Sequence, residues 1–383
     1  MPARGTVVQV TMWNSPYQGN FLASQLALAQ ALERHRGLGT HLVLAPGGED
    51  QPWIADLDAA GVGWSVLPAG ARAGRAHLET VLAEQHGTLV HTHFTTADLT
   101  GAAAAATAGV PCIWHMHTGF LGYPPRQRLK DLWKIRVVGA RKVARAIAVG
   151  PWLAELARRR GMPADRVVTV PNAIVLERFD DLPTREQARE HFGLAADATV
   201  ALGLCWWPSV KGADVLLGAL DASAAQGVPI TALLVGEEEL REAIAERYPA
   251  GPPEWLVVSP FVPDPAWLYA AADVFVSASR HEGFPYSLGE AMACGLPAIM
   301  SDIVGTRFYG GAEGVTSFPT EDSAALAAEL TALVARPAGE RAELGARNAA
   351  WVREHLAIEQ WCASVLDVYD ELLPAREPVA GRP

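Results

Sequence analysis

Two glutamates eight positions apart, Glu282 and Glu290, carry the clearest chemical signal in the chain. They lie in Ser279-Arg-His-Glu282-Gly-Phe-Pro-Tyr-Ser-Leu-Gly-Glu290-Ala-Met-Ala-Cys-Gly295-Leu-Pro297, which follows an apolar, strand-like run and reads as a loop opening into a helix. Pro285 suits the first turn of that helix, where its missing N–H removes no hydrogen bond, and Gly295 suits the position just past its end. First-turn N–H groups have no acceptor within their own helix, and the helix dipole is positive there, so the segment predicts a phosphate site. Glu282 falls in the loop before that site. Glu290 falls about one and a half turns into the helix, so the two carboxylates reach different parts of a ligand. Placed in this way they could accept hydrogen bonds from two sugar rings, a hexose and the ribose of a nucleotide. The plainer alternative is two surface glutamates, with Glu290 a helix former.

Histidines make a second group. His115 and His117 occupy alternate positions of a strand-like segment, Pro111 to His117, and so project to one face. His93 follows an earlier apolar segment. A histidine after a buried strand is also often a hydrogen-bonded structural residue.

The elements that must position these groups alternate along the chain. Short Val-, Ile- and Leu-rich runs (Thr6 to Met12, His41 to Ala45, Trp64 to Leu67, Thr88 to His91) are interleaved with longer Ala-rich segments of helical period. Strands so continuously apolar are covered by helices on both faces, which predicts parallel sheets. The alternation pauses over Asn172 to Pro183 and resumes with Thr199 to Leu204, helix Ala213 to Ala225, and strands at Ile230 to Val235, Trp255 to Ser259, Val274 to Ser277 and Pro297 to Ser301. Three helical segments, Ser323 to Ala335, Gly339 to Glu354 and Glu359 to Leu373, precede a Pro-rich tail. The expectation is an α/β protein of two Rossmann-like parallel-sheet domains with a ligand cleft between them: residues 1–175, residues 176–355, and a final segment, 356–383, whose helix crosses back to the first domain.

Composition narrows the function. At 383 residues, 50% hydrophobic and 19% charged, the chain is a folded globular protein, and its net charge of −11 argues against nucleic-acid binding. Cys112, Cys205, Cys294 and Cys362 form no C-x-x-C pair, which disfavours a disulfide framework or structural zinc. No carboxylate cluster suggests a metal site. Neither a signal peptide nor a membrane span is expected; the uncharged run Leu99 to Pro125 is interrupted by glycine, proline and histidine, and a cytoplasmic location fits. A dinucleotide-binding G-x-G-x-x-G is also missing, since the loop Trp13 to Asn20 has one glycine, Gly19. Between Arg126 and Arg160, eleven basic residues face only Asp131 and Glu155, which predicts a basic helical face able to hold a phosphorylated acceptor or touch an anionic membrane weakly, unless it is merely solvated.

The stretch from Ser279 to Pro297 strongly resembles the E-x7-E signature of retaining glycosyltransferase family 4, which has the two-domain GT-B fold. The resemblance continues in order through Gly19, Val90-His-Thr-His93-Phe, Pro111-Cys-Ile-Trp-His-Met-His117, Val170-Pro-Asn172-Ala, Phe179, Lys211-Gly-Ala-Asp214 and Gly314 to Leu326. It implies a hexose transferred from a nucleotide-sugar donor, UDP-linked by preference, to a hydroxyl or amine acceptor in the cleft, with no metal or other cofactor needed for catalysis. It assigns Glu290 to the ribose, Lys211 to the diphosphate, and Glu282 to the donor sugar beside the reacting carbon. Gly283, Phe284, Pro285, Tyr286 and Ser287 would line the donor, with Gly19 and Asn20 nearby. His117 matches the family's histidine near the donor sugar, while His115 and His93 are further candidates for a donor-sugar or acceptor contact. Retaining members are expected to let the leaving phosphate oxygen take the acceptor's proton. Two departures stand out: the arginine that many relatives carry after the strand ending near Gly203 is replaced by Leu204-Cys-Trp206-Trp207-Pro208, and Asn172 is followed by Ala-Ile-Val without the usual acid. The missing arginine supports an alternative, a catalytically weak accessory protein that binds a sugar nucleotide or glycan. A phosphorylase-like or epimerase-like enzyme of the same fold is a third reading.

Overall fold

The structure is a computed structural model that describes residues 5–118 and 125–374. It divides into two compact units, one of residues 1–173 with 358–383 and the other of residues 174–357.

The first unit carries a seven-stranded parallel sheet of β1 (Thr6–Val10), β2 (Gly39–Leu44), β3 (Gly63–Val66), β4 (Gly87–His93), β5 (Cys112–Met116), β6 (Arg145–Ala148) and β7 (Val167–Thr169). Their spatial order is β3-β2-β1-β4-β5-β6-β7. Every residue of β1 is buried, as a central parallel strand covered on both faces must be. The helix Gly19–Arg36 stops at Gly37, whose positive φ of 67° lets its N–H return to the carbonyl of Glu33. Leu22, Leu42, Leu44, Trp53 and Leu57 pack on one side of this sheet. The helix Ile358–Asp370 packs on the helix Gly19–Arg36 and so belongs to this unit.

The second unit has six parallel strands, β8 (Val200–Leu204), β9 (Thr231–Val235), β10 (Leu256–Ser259), β11 (Val274–Ser277), β12 (Ala298–Ser301) and β13 (Val315–Phe318), in the order β10-β9-β8-β11-β12-β13. Its core gathers Leu216, Leu220, Leu234, Val276, Ile299 and Leu326. Both orders reverse direction once, between β1 and β4 and between β8 and β11. Open α/β sheets bind ligands outside the carboxyl ends of the strands at such a switch point.

Several elements were not foreseen. Strand β13 and the helices Ile54–Ala59, Arg185–Phe192 and Ala266–Ala271 are short or largely exposed, and the sequence period is weak over them. The basic region is not one helical face. It runs through the helix Pro125–Trp133, a π-helical turn Lys134–Gly139, β6 and the helix Pro151–Arg159. Lys134 is buried against Asp98 at 2.5 Å, and Arg145 and Arg159 pair with Glu371 and Glu155. A buried acid on a neighbouring helix therefore recruits a lysine that charge density alone placed at the surface. Among the described residues no helix is long and apolar enough to cross a membrane.

Candidate functional site

In the second unit, the loops after β8 and β11 meet at the switch point. Lys211 ends a short turn, Pro208–Lys211, and the next helix, Ala213–Ala225, begins at once. The residue between, Gly212, has φ of 65°, and a Cβ there would lie 2.1 Å from the carbonyl oxygen of Ala278. Only glycine permits that approach of the two loops. Arg280 then ties them together: its N–H donates to the carbonyl of Val210 (2.8 Å), and its guanidinium donates to the carbonyl of Ser209 (2.7 Å) and to both oxygens of Asp214 (2.8 Å each). Ser301 Oγ donates to the carbonyl of Ser279 from β12 (2.5 Å), and Glu282 is held close against Gly305, whose Cβ would fall 2.1 Å from the Glu282 carbonyl oxygen.

The result is a contact between residues far apart in sequence. Lys211 Nζ donates to Glu282 Oε1 at 2.6 Å, and Ser279 Oγ donates to the same oxygen at 2.8 Å. Both charged side chains are nearly buried, so the pair is screened little by solvent. The ring of Trp206 lies 4.3 Å from Lys211 Nζ. The negative face of an indole thus lies against the lysine ammonium. Trp206 therefore touches the lysine of the pair, whereas Trp207 is 60% exposed.

Pro285 is one residue earlier than expected. It precedes the helix Tyr286–Ala293 with extended backbone, and its carbonyl accepts from Tyr309 Oη at 2.9 Å. Phe284 is buried against Phe308 and Tyr309, while Tyr286 and Ser287 remain partly accessible at the helix start. Gly283 lies buried between Glu282 and Phe284. Glu290 is buried on the helix, its Oε1 accepting from Arg178 at 3.2 Å and its Oε2 from Tyr269 Oη at 2.8 Å. Burial first, and then the Glu290 charge, push the Tyr269 phenol well above its ordinary range, so it stays a donor. Arg178 and Tyr269 had no signal in sequence, because they reach Glu290 from a 3-10 turn (Leu176–Phe179) and a short helix (Ala266–Ala271).

In the first unit, the switch-point end of the sheet is lined by imidazoles. His91 and His93 alternate along β4, His115 lies in β5 and His117 follows it, and all four are buried. His115 stacks with His117 at 4.4 Å and with His91 at 5.3 Å between centroids, while the His91 and His93 rings lie tilted to each other at 4.3 Å. His93 Nδ1 lies 3.1 Å from His117 Nε2, His93 Nε2 lies 3.2 Å from Gln9 Oε1, and His91 Nδ1 lies 2.7 Å from Tyr369 Oη. Burial drives all four toward the neutral form: it brings His91 and His117 down to about 3 and holds His93 and His115 well below the usual histidine value, with repulsion among the rings adding to it for all but His117. Gly19 opens its helix at φ of 61° beside the Trp13 ring, and the buried Asn20 amide donates to the carbonyl of Ala173. Asn20 thus ties the helix to the end of its own unit.

One nitrogen from each of His91, His93 and His115 could converge, since the three lie within 4.8 Å of one another. Neutral imidazoles suit a borderline transition metal, and His91 Nε2 and both nitrogens of His115 have no other partner, but both nitrogens of His93 are already engaged, by His117 and Gln9.

Family models agree with this architecture in both units: "Glycosyltransferase Family 4" matches residues 24–178 and "Glycosyl transferases group 1" matches residues 197–336. The D-inositol 3-phosphate glycosyltransferase of Xylanimonas cellulosilytica is 28% identical over 92% of this chain and 91% of its own length. That of Streptomyces bingchenggensis is 30% identical over 74% of this chain and 67% of its own length. Among solved structures, Anabaena HepE in complex with UDP and glucose superposes with a TM-score of 0.81, covering 96% of this chain and all of that one at 18% identity, a likeness of fold. The chain belongs to the glycosyltransferases of family 4, and its two parallel-sheet units are those of the GT-B fold.

Proposed function

We propose that the protein is a retaining glycosyltransferase that moves a hexose from a nucleotide-diphosphate sugar, UDP-linked by preference, to a hydroxyl or amine acceptor. The observation that carries this reading is the pairing of Lys211 with Glu282 at the β8/β11 switch point, beside a helix N-terminus. An incoming diphosphate takes over Lys211, and the ammonium, with the first-turn N–H groups, offsets the charge that grows on the leaving phosphate as the glycosidic bond breaks. Glu282, released from the lysine, accepts from hydroxyls of the transferred sugar. Glu290, oriented by Arg178 and Tyr269, accepts from the ribose. His117 is assigned to the donor sugar, as the family resemblance implies. No protein nucleophile is required: the leaving phosphate oxygen takes the acceptor's proton on the face it departs from, and the protein supplies position and electrostatics.

Two findings support these choices. The D-inositol 3-phosphate glycosyltransferases among the relatives favour a phosphorylated polyol as the acceptor class, and HepE, of the same fold, holds UDP and glucose. The test is release of nucleoside diphosphate from a panel of UDP-, GDP-, ADP- and dTDP-sugars with inositol phosphate as acceptor, the anomeric configuration of the product being read by NMR. Transfer with retention, lost in Glu282→Ala and Lys211→Ala, is the expected result. Unchanged transfer in both variants overturns the site; inversion overturns the mechanism. Donor binding without transfer to any acceptor would favour the accessory-protein reading, to which the missing arginine after β8 lends support.

A further inference from the structure

We propose that Gln9 and His93 are positioning residues that fix the tautomer of His117, leaving its Nδ1 as a bare hydrogen-bond acceptor. A buried chain of hydrogen-bonding groups runs along one face of the sheet, and its protons can be counted from one end. Gln9 lies on β1 directly beside His91 of β4, and His93 lies beside His115 of β5, so the three strands deliver these side chains to the same side. Gln9 Oε1 lies 3.2 Å from His93 Nε2, and with the amide in this orientation the oxygen can only accept, which puts the proton of His93 on Nε2. A neutral imidazole has one N–H, which leaves His93 Nδ1 a lone pair. The 3.1 Å contact from His93 Nδ1 to His117 Nε2 then needs its proton from His117. With Nε2 protonated, His117 Nδ1 has none.

The surroundings support the premise of neutrality. His93 and His117 are both buried, and burial holds both imidazoles neutral at ordinary pH. Phe21 meets both rings edge-on, at 5.3 Å from His93 and 5.4 Å from His117, and so fixes their planes with apolar contact that offers no competing acceptor of comparable strength. The functional consequence rests on the proposed assignment of His117 to the donor sugar: a bare Nδ1 accepts from a sugar hydroxyl and cannot donate to a ring or carboxylate oxygen in its place, so Gln9, which touches no substrate, would select the donor's hydroxyl pattern.

The experiment is a long-range proton–nitrogen correlation spectrum of the full chain with ¹⁵N-labelled histidine, the His117 signal being assigned by its loss in His117→Asn. The expected wild-type result is His117 protonated at Nε2 alone. In Gln9→Met, which keeps length and removes the acceptor, a mixture of both His117 tautomers is expected, together with a rise in donor KM of about fivefold, as for the loss of one hydrogen bond, and a smaller change in kcat. His117 protonated at Nδ1 in the wild type, or an unaltered tautomer in Gln9→Met, overturns the proposal; the wild-type spectrum decides even if that variant does not fold. A tautomer that shifts while donor KM stays fixed upholds the relay and removes His117 from the sugar site.

Discussion

The two sheets place opposite chemistries at equivalent points. Both reverse strand order once, and in both the residues of interest stand where the central strands end. In the first unit those residues are four buried imidazoles held neutral, linked to one another, Gln9 and Tyr369. In the second they are charged and paired, Lys211 with Glu282 and Arg178 with Glu290. Burial without a counter-charge removes charge from a histidine, whereas buried groups of opposite charge offset each other as a pair. The first arrangement can orient hydrogen bonds. The second can exchange one anion for another, which is what a diphosphate requires.

Acidification sharpens this contrast most. His91 and His117 are neutral in the folded unit down to about pH 3, whereas in the unfolded chain they take up protons near 6.5. Below 6.5 the unfolded state binds more protons, so the stability these residues contribute is complete above that pH and falls away toward 3, by roughly 1.4 kcal/mol per pH unit for each. Hydrogen exchange read by mass spectrometry at pH 7.5 and 5.0, corrected for intrinsic rates, should show protection lost in β4 and β5 before β8 and β11; simultaneous loss would break the comparison.

Next in size is Lys134→Met. The first unit also holds a buried ion pair, Lys134 with Asp98, and burial raises the Asp98 carboxyl above its usual range despite the lysine. Removing the lysine is expected to cost about 3–5 kcal/mol in urea unfolding, because Asp98 would be left buried without its cation. Lys211→Ala, in the second unit, should instead lower kcat by roughly 100- to 1,000-fold, as expected when one positioned transition-state charge is lost. Gly212→Ala is the smallest change in atoms and should destabilise the second unit by about 1–3 kcal/mol, since it meets both an unfavourable backbone conformation and the Ala278 carbonyl. A melting temperature like that of the wild type would show that the two loops are not held together there.

The features legible in the sequence are those written locally. Runs such as Val7 to Val10 declare a buried parallel strand, and Gly295 after Cys294 declares a helix end, realised with φ of 78°. The two glutamates and Lys211 are legible through their spacing and through family likeness. Arg280 is not: it sits inside the recognisable stretch, yet its work, clamping Asp214 and the Ser209 carbonyl, depends on residues more than sixty positions away. Lys134 misled for the same reason, because only the fold brings Asp98 beneath it. Strand β13 escaped because Thr316 and Ser317 are exposed and polar, so its pattern lacks the apolar run that marks the other strands.

The Lys211–Glu282 pair and Glu290 in the second unit are proposed to form a nucleotide-diphosphate site. Its most direct test is the melting temperature of the protein against UDP, GDP, ADP and dTDP, repeated for Lys211→Ala and Glu290→Ala. Ligand binding to the folded state raises the melting temperature by mass action. The account predicts a clear rise with one nucleotide, UDP by preference, that is lost in both variants; no rise with any of the four, or a rise that both variants retain, would contradict it.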